Sequence, residues 1–167
     1  MLKAPVYQGS ARLRHEFQLK RPGVEAAGCC APQAGADKDG SKRIRVLLCD
    51  DDTNIRRALA GMLATEGDME VVGEAANGLE ALGLSRTLHP DAVVMDLSMP
   101  VMGGIEATRR IVGEFPGIWV IGLSMFDDPY HAAEMREAGA RAFLSKTGPP
   151  EDLVAAIRNR AAPACQG

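Results

Sequence analysis

From Ile44 onward the apolar positions switch between two rhythms. Val46-Leu47-Leu48-Cys49 is an almost continuous apolar run, the mark of a strand buried on both faces. Ile55, Leu59, Met62 and Leu63 then recur at i, i+4, i+7 and i+8, which is one face of a helix. The pair repeats. Strands are predicted over Met69–Gly73, Ala92–Met95, Ile118–Leu123 and Ala142–Leu144, and helices over Leu79–Leu88, Ile105–Phe115, Pro129–Ala138 and Glu151–Arg158.

Strand–helix units repeated in this way predict a five-stranded parallel sheet with helices on both faces, because each right-handed crossover has to pack back onto the sheet. The fold class is therefore α/β, doubly wound. In such sheets ligands bind beyond the carboxyl ends of the strands. Those ends carry Asp50-Asp51-Asp52 after the first strand, Asp96 at the third, Ser124 at the fourth and Lys146 after the fifth. Clustered carboxylates repel one another unless a hard cation neutralises them, and a small oxygen cluster with room for water suits Mg²⁺. A lysine and a hydroxyl opposite the metal would complete a seat for phosphoryl oxygens.

Charge divides the chain near residue 43. Residues 1–43 hold 8 Lys+Arg and 4 Asp+Glu, whereas residues 44–167 hold 11 and 18. The first part lacks long apolar runs, and its Gly/Ala/Pro-rich stretch 26–41 reads as linker, so 1–43 is expected to be a disordered basic extension. Leu13 and Phe17, four apart among basic residues, offer too little to change that reading. Residues 44–160 form the folded domain, and 161–167, with Ala161-Ala162-Pro163 breaking the last helix, a flexible tail.

The remaining composition mainly excludes. No apolar stretch approaches the roughly 18 residues of a membrane span, and no secretory signal pattern opens the chain, so a cytoplasmic protein without membrane contact is expected. Cys29 and Cys30 are adjacent, without a second ligand pair at zinc spacing, and Cys49 reads as a small buried hydrophobe. A calcium loop starting at Asp50 fails at Ile55, where glycine is required, and at Gly61, where a bidentate glutamate is required. A phosphatase of the haloacid dehalogenase type is the alternative from another class, but Asp50-x-Asp52 is followed by Asn54 where Thr or Val belongs, and Asp96 stays unexplained. No nucleophile elbow or P-loop is present.

Asp50-Asp51 after an apolar strand, the stretch Met95-Asp96-Leu97-Ser98-Met99-Pro100-Val101-Met102-Gly103-Gly104, Leu123-Ser124, and Phe143-Leu144-Ser145-Lys146 together resemble the receiver domain of bacterial two-component response regulators, from about Arg45 to Arg158. Val71 to Gly78 further resembles the subfamily that usually carries a C-terminal helix-turn-helix. The resemblance implies a flavodoxin-like strand order 2-1-3-4-5. It implies Asp96 as the acceptor of a phosphoryl group from a sensor histidine kinase or a histidine phosphotransfer protein. Asp51 would bind Mg²⁺ directly and Asp50 largely through water, with the Ser98 backbone carbonyl and Asp96 as further ligands. Lys146 and Ser124 would hold the phosphoryl oxygens, and Phe143 would be the aromatic that turns with Ser124.

Counting from the apolar strand assigns the acidic pair to Asp50-Asp51, with Asp51-Asp52 as the alternative. Thr147 after Lys146, where many receivers have proline, makes a cis peptide there less expected. With nine residues after Arg158 there is no room for a helix-turn-helix, so this chain is expected to bind no nucleic acid itself. The expected role is that of a switch rather than an enzyme, acting on a partner or a second copy through the face of the fourth helix, fifth strand and fifth helix. A transcriptional regulator that has lost its DNA-binding domain is the alternative.

Overall fold

The computed structural model describes residues 42–125 and 129–161. Most of the extension expected over 1–43 and of the tail expected over 161–167 lies outside them. The elements alternate as expected: β1 (Ile44–Cys49), α1 (Thr53–Ala64), β2 (Met69–Ala75), α2 (Gly78–Leu88), β3 (Ala92–Asp96), α3 (Gly104–Glu114), β4 (Trp119–Ser124), α4 (Pro129–Glu137), β5 (Ala142–Ser145) and α5 (Pro150–Arg158), closed by a 3-10 turn, Asn159–Ala161. The five strands lie in the order β2-β1-β3-β4-β5, and every pairing is parallel. After β1 the chain runs outward to β2 and then returns across β1 to β3. The switch point therefore lies between β1 and β3.

Alternation along the strands divides the core in two. Leu47, Val93, Met95 and Val120 point to one face, where Ala81, Leu82, Ala107, Ile111 and Met135 of α2, α3 and α4 cover them. Val46, Leu48, Val94, Ile121 and Leu123 point to the other, against Leu63 of α1 and Leu153, Val154 and Ile157 of α5. Burying a large aliphatic side chain such as Ile111 or Ile157, both with no exposed surface, contributes about 2 kcal/mol. Cys49 belongs to the first cluster, and burial pushes its thiol pKa well up, which keeps it in the unreactive thiol form.

Capping fixes where the helices start. Asp52 is the N-cap of α1 and accepts from the Asn54 N–H at 2.7 Å. Asn77 caps α2, accepting from Glu80 N–H at 3.0 Å, while the Glu80 carboxylate accepts from the Ala76 N–H at 2.8 Å. This varies the capping box: Glu80 reaches back to the residue before the N-cap and to the Asn77 side-chain amide at 2.9 Å, not to the N-cap N–H.

One residue in the β3–α3 connection is strained. Val101 has φ 67°, a left-handed conformation that costs an L-residue about 1–2 kcal/mol and is worst for β-branched side chains. The residue is 83% exposed and recovers little by packing. Val101→Asn is expected to raise stability by about 1 kcal/mol, read as a higher urea midpoint at unchanged slope. An unchanged or lower midpoint would mean that the exposed isopropyl group makes a contact worth as much as the strain.

Candidate functional site

In β3, β4 and β5 the apolar run stops one residue before the strand does. Asp96 is the last residue of β3 and Ser124 the last of β4. Asp50 directly follows β1, and Cys49 pairs in register with Met95, which sets Asp50 beside Asp96. The Asp50 N–H still donates to Ala75 O on β2 at 3.1 Å. Lys146 follows β5 and donates its backbone N–H to Ser124 O at 2.7 Å. The backbone thereby brings residues from four strand ends to one place.

They line a single cavity of about 370 Å³ formed by Asp50, Asp51, Asp52, Asp96, Ser98 and Ser124 with Lys146, and walled by Ile55 and Met125. Carboxylate oxygens of Asp50, Asp51 and Asp96 lie within 4.8 Å of one another. Asp50, Asp96 and Ser124 are buried, whereas Asp51 is exposed. The Lys146 ammonium, its side chain 7% exposed, bridges Asp50 Oδ2 at 2.6 Å and Asp96 Oδ1 at 2.9 Å. Burial pulls the Lys146 pKa down, but hydrogen bonds and attraction from Asp50 and Asp96 outweigh it and leave it above the ordinary lysine value. The ammonium is thus firmly charged.

Three carboxylates against one ammonium leave the cluster net negative, and its donors are all hard oxygens. Such a set fits a small divalent cation with water in its remaining positions. Asp50 already has both oxygens engaged, Oδ1 by the Asp52 N–H at 2.9 Å and Oδ2 by Lys146. Asp52 is spent on capping α1. The geometry therefore gathers Asp50-Asp51, not Asp51-Asp52, with Asp96.

Ser98 and Ser124 stand at the cavity wall. Phe143 does not line it. The Phe143 ring lies half-buried against the α2–α3–α4 side of the core. It occupies room left by Gly122, its register partner on β4, where an added Cβ would come 2.8 Å from Phe143 Cδ2. Gly122 and Ser124 are two apart and so face the same side of the sheet, which puts the ring and the hydroxyl on one face. No cis peptide occurs among the described residues, and the bond after Lys146 is trans.

Two residues that support the site were not singled out from the sequence. Gly104 opens α3 directly against the Asp96 carbonyl, and the Arg56 guanidinium binds the Asp50 carbonyl. A larger cavity of about 560 Å³ lies away from the carboxylates, between α1 and α5, where the charged Glu66 and Arg158 pair with each other.

A doubly wound 2-1-3-4-5 sheet with an aspartate cluster and a lysine at its carboxyl edge defines the receiver class of signalling proteins. A profile of the response regulator receiver domain matches residues 46–158, and the chain belongs to that family. Its relatives include the transcriptional regulatory protein LiaR of Bacillus subtilis, 43% identical over 115 residues, which are 69% of this chain and 54% of LiaR. They also include the uncharacterized transcriptional regulatory protein YhcZ of the same organism, 42% identical over 111 residues, 66% of this chain and 52% of YhcZ. The chain spans about half the length of these curated relatives. Among solved structures, the response regulator domain of Thermotoga maritima CheB superposes with a TM-score of 0.67 at 32% identity, covering 71% of this chain and 96% of that one.

Among the described residues no helix is long and apolar enough to cross a membrane.

Proposed function

We propose that this chain accepts a phosphoryl group on Asp96, in a Mg²⁺-dependent reaction, and changes conformation in response. The observation that carries this reading is the convergence of Asp50, Asp51 and Asp96 on one cavity with the Lys146 ammonium between two of them. An Asp96 carboxylate oxygen would attack phosphorus, a P–O bond would form to Asp96, and the bond from phosphorus to the donor's leaving group would break. When bound, Mg²⁺ supplies neutralisation of the phosphoryl oxygens. Asp51, exposed, is suited to hold it directly and Asp50 through water, and Ser98, in the same wall, would offer its backbone carbonyl. Lys146 and Ser124 are the positions suited to receive the transferred oxygens.

The donor is a sensor histidine kinase or a histidine phosphotransfer protein, as the family membership supports. The chain's role is that of a switch rather than a turnover catalyst. An added dianionic group would draw the Ser124 hydroxyl inward, and Phe143, on the same face, is placed to follow. The surface of α4, β5 and α5 is then the face on which a partner or second copy would read the state. α4 buries only Ala132 and Met135, so a shift there is inexpensive. Control of transcription is the output that the relatives' names support.

Incubation with acetyl phosphate and Mg²⁺ should add the mass of one phosphoryl group, and EDTA should prevent it. Amide NMR shifts of the same sample should concentrate in residues 124–146. No adduct, or shifts confined to α1 with Phe143 unmoved, would sink this reading.

Lys146 offers a separate check. Removing one partner of a buried charge pair leaves uncompensated charge; here Lys146→Ala would leave Asp50 and Asp96 facing each other without an ammonium. In EDTA the variant should lose about 3 kcal/mol of stability, and Mg²⁺ should restore more to it than to wild type, as read from urea unfolding. Equal Mg²⁺ stabilisation of the two would mean that the lysine and the metal act at different places.

A further inference from the structure

The acidic pair is held from behind by a side chain that the cavity itself does not show. Arg56, on the first turn of α1, has a side chain only 12% exposed. Its guanidinium reaches three acceptors. Nη1 donates to the Asp50 backbone carbonyl at 2.6 Å, Nε to Glu74 Oε2 at 3.0 Å and Nη2 to Thr53 Oγ1 at 3.1 Å. Asp50 stands where the chain leaves the sheet, so its carbonyl has no strand partner and needs another donor. A guanidinium supplies a charge-assisted one in a fixed plane. With the Asp50 N–H on Ala75 O at 3.1 Å, the residue is fastened on both sides, and Glu74 of β2 anchors the fastener.

We propose that Arg56 is a positioning residue for cation binding: by fixing the Asp50 carbonyl it sets the direction in which the Asp50 and Asp51 carboxylates enter the cavity. This rests on the reading of the cluster as a Mg²⁺ site. Two effects of Arg56 have opposite signs. As a bare positive charge near a cation site it opposes Mg²⁺, and its neutralisation would tighten binding. As a clamp it favours Mg²⁺, and its removal loosens binding. The sign of the change separates them.

The test uses the full chain and Mg²⁺ alone, titrated calorimetrically, with urea unfolding in parallel. Arg56→Met should raise the Mg²⁺ Kd on the order of tenfold, the size typical of groups that orient metal ligands. Arg56→Lys keeps the charge but loses the fork, and should also weaken binding. Arg86→Met, which removes a surface pair with Glu114 on α3, should change nothing. A tightened or unchanged Kd in Arg56→Met overturns the proposal, as does a lower urea midpoint with the Kd unmoved, which would make Arg56 merely structural. If Arg56→Met does not fold, an unchanged Kd in Arg56→Lys overturns it equally. Wild-type chain that binds no Mg²⁺ removes the metal-site reading and this proposal together, whereas normal wild-type binding with unaffected Arg56 variants removes this proposal alone.

Discussion

Asp96→Asn is expected to reduce phosphoryl labelling by acetyl phosphate to the EDTA baseline while leaving the protein folded. The exchange keeps the shape of the side chain and removes only its anionic nucleophile. Competing carboxylates in the cavity are poorly placed to take over. Asp50 is 1% exposed with both oxygens engaged, Asp52 caps α1, and Asp51 stands at the exposed rim. Asp96, buried like Asp50 and likewise bound to Lys146, is the one that closes β3, the central strand of the five. The fold should tolerate the change because Lys146 retains Asp50 and one of three mutually repelling charges disappears. Intact mass and a urea titration on the same preparation check both halves. An adduct at wild-type yield in Asp96→Asn would assign the chemistry to another residue.

The same carboxylates explain how much was legible in the sequence and where legibility stopped. Each strand core was visible, because Val46 to Cys49 and Ala92 to Met95 are covered on both faces and must be apolar throughout. The strand ends were not. β3 extends to Asp96 and β4 to Ser124, one residue beyond the last apolar position, because a residue that serves a polar cavity cannot also carry the hydrophobic signal. β2 likewise runs on to Ala75 through Glu74. Glu74 is hidden from a pattern reading because its partner, Arg56, belongs to another element. Helix starts shifted outward for a different reason: α2, α3 and α5 begin at Gly78, Gly104 and Pro150, residues that propensity alone assigns to loops.

Within Asp50-Asp51-Asp52, counting from the apolar strand already favoured Asp50-Asp51, the pair that the structure gathers with Asp96. The reason the third is set apart was not legible, because only the backbone shows that it turns to cap α1. Phe143 was expected to act with Ser124, and the two do share a face. What places the ring there is Gly122, whose missing side chain makes the space that the ring fills. A sequence displays side chains, whereas the role of Gly122 is an absent one.

Gly104 shows the same limit with the largest expected consequence for stability. The Gly104 N–H donates to Leu97 O at 3.0 Å, which folds the start of α3 back over the end of β3. In that position a Cβ on residue 104 would overlap the Asp96 carbonyl oxygen and crowd Leu97 Cα 3.1 Å away. Both obstacles are backbone, so neither can swing aside as a flexible side chain would. The φ of Gly104 is not positive, so the requirement is one of space rather than of conformation. Gly104→Ala should therefore cost at least about 3 kcal/mol, the upper part of the range for overpacked sites, even though alanine is the better helix former by about 1 kcal/mol. The strain falls on Asp96 itself, and whatever fraction of the variant folds should take a phosphoryl group from acetyl phosphate more slowly than wild type. Gly113, on the same helix, has nothing within 4 Å of the point where a Cβ would stand, and Gly113→Ala should stabilise by about 1 kcal/mol. Urea midpoints moving in opposite directions for the two substitutions are the expected result. Two midpoints that both rise would mean that the α3 start yields easily, and that the close approach to Asp96 is not a constraint on the site.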